Sequence, residues 1–213
     1  MTCRARTFFL SLIVLLCFIY AAGCTSQQTA DTNNTTSAVQ SYNAWIDQQH
    51  AFDGDVRDAI TQIGNHIQTY NTEIASDQPD TALMQQNLAT DKQLLDRWGS
   101  DLEALNTATS QFGQSTASLQ YDNTSSTKSV ETMGQITQYM KIYGVDMGNA
   151  RQHLIDYVNN EEAYIGQGDP EYWNAKYLQD AIKAKDQASA SIADGDTALE
   201  NITTQSQVLA QIQ

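Results

Sequence analysis

VQSYNAWIDQQHAFDGDVRDAITQIGNHIQTYNTEI, residues 39–74, is the stretch that decides the fold. Stepping alternately by three and four from Val39 lands on Tyr42, Ile46, Gln49, Asp53, Val56, Ile60, Ile63, Ile67, Tyr70 and Ile74. Nine of these eleven positions are apolar. A spacing that averages 3.5 residues keeps one face of an α-helix continuously apolar, which is a heptad seam rather than the strict alternation of a strand.

Working outward, the same seam recurs three times. The second runs through Met84, Leu88, Asp91, Leu95, Trp98, Leu102, Leu105, Thr109, Phe112, Thr116 and Leu119. The third is Met133, Ile136, Met140, Tyr143, Met147, Ala150, Leu154, Tyr157, Glu161 and Tyr164, broken by Glu161 alone. The fourth is weaker and Ala-rich: Leu178, Ala181, Lys185, Ala188, Ile192, Gly195, Leu199, Ile202, Ser206 and Leu209. Asp77-Gln78-Pro79-Asp80, Asn123-Thr124-Ser125-Ser126 and Gly166-Gln167-Gly168-Asp169-Pro170 punctuate the breaks, with Asp80 and Asp169 as N-caps and Pro170 at a first helical position.

The pattern predicts an all-α fold, an antiparallel up-down-up-down four-helix bundle with helices over 38–76, 81–120, 126–165 and 170–211. Such helices give a bundle on the order of 60 Å long. A shorter, thicker bundle would follow if helices break at Asp53-Gly54-Asp55 or Gly99-Ser100.

Upstream of the seams the chain changes character. Arg4 and Arg6 precede an apolar run from Phe8 that closes on Ala21-Ala22-Gly23-Cys24. The run is shorter than the ~20 residues a spanning helix needs, and a basic head, an apolar segment and small residues before a cut make an export signal. The terminal tetrapeptide resembles the lipobox of prokaryotic lipoproteins, with Ala21 where that family prefers Leu. The resemblance covers only the first 24 residues. It implies a signal peptide over 1–23, lipidation of Cys24 through its thiol, and a membrane-anchored chain on the extracytoplasmic face of the cell membrane. Residues 24–37, rich in Thr, Ser, Asn and Gln, then read as a flexible tether. Of the three cysteines, Cys3 and Cys17 lie within the expected leader, so Cys24 would be left without an internal partner and the bundle would be held by packing alone.

The net charge of −14 deepens by two once Arg4 and Arg6 leave with the leader. An acidic surface repels phosphate backbones, so no nucleic acid is expected as partner. Asn33, Asn34, Asn123 and Asn201 start Asn-x-Ser/Thr sequons.

Three constellations stand out. With the first helix starting at the tether, the loops around Pro79 and Gly168 fall at the far tip. Tyr70, Tyr157, Tyr164, Tyr172, Trp173 and Tyr177 gather there, either as a partner-recognition surface or as the aromatic closure of the bundle end. Halfway along, Gly54, Gly99, Gly144 and Gly195 fall within roughly two turns of one another. They read as a pocket, a hinge, a weak cation site built from Asp53, Asp55, Asp194 and Asp196, or chance. Finally, His50, His66 and His153 sit beside seam positions without metal-ligand spacing, and Met133, Met140 and Met147 read as core filling.

No nucleophile, phosphate loop or haem motif accompanies them, so we expect neither an enzyme nor a cofactor. Two functions fit: a structural or protein-interaction lipoprotein of the cell envelope, or a ligand-sensing bundle acting with a separate membrane partner. In helix number and length the latter resembles the extracytoplasmic four-helix domains of chemoreceptors, an analogy of architecture. A sensor would bring buried polar groups together at a pocket; a structural bundle would show a continuous seam.

Overall fold

The computed structural model describes residues 29–119, 124–167 and 174–211. Four long helices account for nearly all of them: α1 (Thr29–Ile74), α2 (Thr81–Ala117), α3 (Thr124–Ile165) and α4 (Ala175–Gln211). They form the four-helix bundle expected from the seams, and the register of the contacts is antiparallel between chain neighbours. On α1 and α2, Ser41 meets Ser115 and Trp45 meets Thr109; on α2 and α3, Gly113 meets Thr137 and Lys92 meets Glu162.

Both breaks considered at Asp53-Gly54-Asp55 and Gly99-Ser100 are absent, since α1 and α2 run through them. Two boundaries need correction. Helix α1 starts at Thr29, inside the stretch 24–37 expected to be a tether, because no Gly or Pro stands between Thr25 and Asp53 to stop a helix once it has nucleated. Helix α4 starts at Ala175 rather than at Pro170, and its N-cap is Asn174, whose Oδ1 accepts from Lys176 N at 3.0 Å. Asp169 and Pro170 lie outside the described residues. Asp80 does cap α2, its Oδ1 accepting from Leu83 N at 2.9 Å while Glu73 Oε2 accepts from Asp80 N at 2.7 Å.

The chain divides into two compact units. Of the described residues, unit 1 holds 29–49, 104–119, 124–144 and 195–211, and unit 2 holds 50–103, 145–167 and 174–194. In unit 1, Val39, Tyr42 and Trp45 of α1 pack with Leu105 and Phe112 of α2, Ile136, Met140 and Tyr143 of α3, and Ala198, Ile202 and Leu209 of α4. The Tyr42 and Phe112 rings lie 5.5 Å apart, and Tyr42 OH meets Ser206 Oγ at 2.8 Å. Buried hydroxyls along this core do not break their helices: Thr109, Thr137 and Ser206 each donate to the carbonyl one turn back, at 3.0, 3.0 and 2.8 Å.

Unit 2 is built on Phe52, Val56 and Ile63 of α1, Met84, Leu88, Leu95 and Trp98 of α2, Met147, Leu154 and Val158 of α3, and Ala181, Ala184 and Ala188 of α4. The Phe52 and Trp98 rings meet edge to face at 6.3 Å. Here the α1 seam departs from the fixed alternation. Phe52 and Ala59 turn inward while Asp53 and Ile60 are only half-buried, because the Asp53 carboxylate reaches Arg57 at 2.9 Å instead of entering the core.

Gly54 has open space where a Cβ would stand. Gly54→Ala is therefore expected to stabilise the chain by about 1 kcal/mol through helix propensity alone. A thermal unfolding midpoint that does not rise would show that the position needs its glycine.

Candidate functional site

The seams of α2 and α3 each carry one carboxylate inside unit 2, Asp91 and Glu161, and both are buried, at 0 % and 3 % exposed. A charged group in an apolar seam is costly unless hydrogen bonds replace its water. Asp91 has them. His66 Nδ1 lies 2.5 Å from Asp91 Oδ1, a separation that requires a proton between the two, and Tyr70 OH donates to Asp91 Oδ2 at 3.0 Å. Both partners come from α1, one turn apart, so a single face of that helix grips the carboxylate of α2.

Glu161 is held differently. Its Oε2 has no hydrogen-bond partner, and neither has the hydroxyl of Tyr157, one turn earlier on α3 and 2 % exposed. The neighbouring cation on α2, Lys92, reaches the adjacent and exposed Glu162 at 2.7 Å. Burial therefore pushes the Glu161 carboxyl up to about 7, only partly opposed by Tyr157. Burial also raises Asp91 above the ordinary carboxylate range, against the pull of the His66 and Tyr70 hydrogen bonds. Tyr70 and Tyr157 are raised as well, first by burial and then by the nearby carboxylates Asp91 and Glu161. At neutral pH both phenols keep their protons.

Of the six residues expected at the tip, Tyr70, Tyr157 and Tyr164 are in the core around these carboxylates. As buried side chains, these three offer no exposed surface to a partner. Tyr177 is 37 % exposed on the first turn of α4. Tyr172 and Trp173 lie outside the described residues, as does Cys24.

The weak cation site is not assembled. Asp53 pairs with Arg57, and Asp55 pairs with Arg97 of α2. Among the described residues no group of three or more His, Cys, Asp or Glu side chains is arranged to hold a metal ion. Two of the mid-bundle glycines, Gly99 and Gly144, serve packing between α2 and α3 instead. In unit 2 a Cβ on Gly99 would stand 2.8 Å from the guanidinium carbon of Arg151, whose Nε donates to Leu95 O at 2.6 Å. In unit 1 a Cβ on Gly144 would collide with Asn106 Oδ1. Each glycine admits a polar side chain of the facing helix, a relation between helices that neither helix shows by itself.

A groove of about 480 Å³ in unit 1 runs between α2 and α3, lined among others by Gly113, Thr116, Val130, Gly134 and Thr137. The buried carboxylates belong to unit 2.

Chemically the cluster of unit 2 brings together two buried carboxyls and two phenols, and one oxygen of Glu161 has no hydrogen-bond partner. His66 and the convergence of Asp91 with Glu161 were not anticipated from sequence, although both carboxylates already stood on the seam. Among the described residues no helix is long and apolar enough to cross a membrane. No protein-family model matches the chain, and neither a curated protein nor a solved structure matches it.

Proposed function

We propose that this chain is a lipid-anchored, extracytoplasmic helical-bundle protein with a structural or protein-interaction role in the cell envelope. The observation that carries the reading is Ala21-Ala22-Gly23-Cys24 at the end of a short apolar run, ahead of a chain whose four seams close into a bundle. A thioether-linked diacylglycerol on Cys24 supplies two acyl chains, enough for stable anchoring where one chain binds only reversibly. The helices then carry their exposed polar faces away from the membrane, and contacts fall to surface groups such as Tyr177 near the start of α4.

The expected result is a mature chain beginning at Cys24 with the mass of the lipid added, and loss of Cys24→Ser from the membrane fraction. Mass spectrometry of the N-terminal peptide decides it. An unmodified thiol on a longer N-terminus overturns the anchor.

One observation favours a second reading, a ligand-sensing or solute-binding bundle that works with a separate membrane partner: the buried and unpartnered oxygens of Tyr157 and Glu161. Purification of the acylated protein from its native membrane separates the two. A stable protein partner supports the interaction role, and a co-purifying small molecule supports sensing.

A further inference from the structure

We propose that Glu161 is a proton-binding site that ties the packing of unit 2 to pH: the protonated carboxyl is compatible with the closed interior, and the ionised one is not.

The geometry divides the two buried carboxylates by role. Asp91 has both oxygens engaged, by His66 Nδ1 and by Tyr70 OH, so its charge is met by hydrogen bonds. Glu161 is equally enclosed but has Oε2 unpartnered beside the unpartnered Tyr157 OH. A buried carboxylate with one oxygen left unpartnered relieves its desolvation by taking a proton.

Each helix of the unit contributes groups around it. From α1 come His66 and Tyr70, both committed to Asp91. From α2 come Asp91, a second acid, and Lys92, which is bound to Glu162. On α3 itself stand Tyr157, Glu162 and Tyr164. The buried face of α4 in this unit is Ala181, Ala184 and Ala188, while its charged Lys176, Asp180 and Lys183 are exposed.

The sign follows from linkage. Folding raises the Glu161 carboxyl from 4.5 to about 7, so between these values the folded chain binds more protons than the unfolded one. Stability from this group is full below 4.5 and is lost as pH rises through about 7. The raised Asp91 acts in the same direction. This site does not depend on how or where the chain is anchored, so it stands or falls apart from the lipid on Cys24.

The test is a carbon-13 titration of the glutamate side-chain carboxyls in the full chain, with near-ultraviolet circular dichroism recorded on the same samples. Glu161 is expected to titrate near 7 rather than 4.5, with the aromatic dichroism changing at the same midpoint. Glu161→Gln, which keeps the shape of the protonated acid, is expected to remove that resonance and to flatten the fall of the thermal midpoint across the window. A Glu161 carboxyl that titrates in the ordinary range overturns the proposal, and so do parallel pH profiles for Glu161→Gln and the unsubstituted chain. Should Glu161→Gln fail to fold, the titration of the unsubstituted chain decides by itself.

Discussion

Asp91→Ala is expected to lower the free energy of unfolding by about 3–5 kcal/mol, the range for removing one member of a buried, hydrogen-bonded charged set. The loss has two sources. The buried Tyr70 hydroxyl and the partly exposed His66 Nδ1 both lose their acceptor, and the missing carboxyl leaves a void between α1 and α2. Tyr70→Phe removes only one donor and leaves His66 on the carboxylate, so a smaller cost of roughly 1–3 kcal/mol is expected. Urea unfolding followed by far-ultraviolet circular dichroism measures both. A loss below about 1 kcal/mol for Asp91→Ala would mean that the cluster does not hold the helices together.

Trp45→Ala is expected to cost a similar amount, about 3–5 kcal/mol, for a different reason. Trp45 is fully enclosed in unit 1, and its Nε1 donates to Thr109 Oγ1 at 2.9 Å while Thr109 donates onward to the Leu105 carbonyl at 3.0 Å. Truncation empties the largest side-chain volume of that core and takes the donor from a buried hydroxyl. Trp45→Phe keeps much of the apolar area, and Thr109 retains its bond to Leu105, so the loss should fall to roughly 1–2 kcal/mol. Thermal unfolding of the two variants checks the ordering; equal losses would place the stabilisation in the indole N–H rather than in the filled volume.

The fold was legible because two of its helices obey one simple rule. All ten positions of the α3 seam are buried, Glu161 included, and on α2 only Leu102 is less than buried. The rule fails where chemistry shifts the register. Asp53 leaves the α1 seam for Arg57 and Phe52 is buried in its place, while Trp45 is buried beside the seam position Ile46, so two of the largest enclosed side chains were missed by a template of fixed steps. On α4, Leu178, Lys185, Ile192 and Leu199 of the seam are only half-buried and the other six positions are buried.

The site was visible only in part. Asp91 and Glu161 stood out as acids in apolar seams, and Tyr70, Tyr157 and Tyr164 were expected to meet. That they meet around the acids depends on which face of α1 turns toward α2, and a single-helix pattern does not fix the rotation of one helix against another. The glycine contacts escaped for the same reason, since Gly99 and Arg151 are neighbours only across helices.

The alanine face of α4 bears on how fast a proton can travel. A carboxyl only 3 % exposed exchanges with solvent through transient local opening rather than by direct collision. Opening begins where least apolar area is surrendered per turn. In unit 2 that is α4, where methyl groups at Ala181, Ala184 and Ala188 do the work that Leu, Met and Trp side chains do on α2. Protonation of Glu161 is thus gated in time as well as in free energy: the pH outside is averaged over the interval between openings, and brief excursions pass unrecorded.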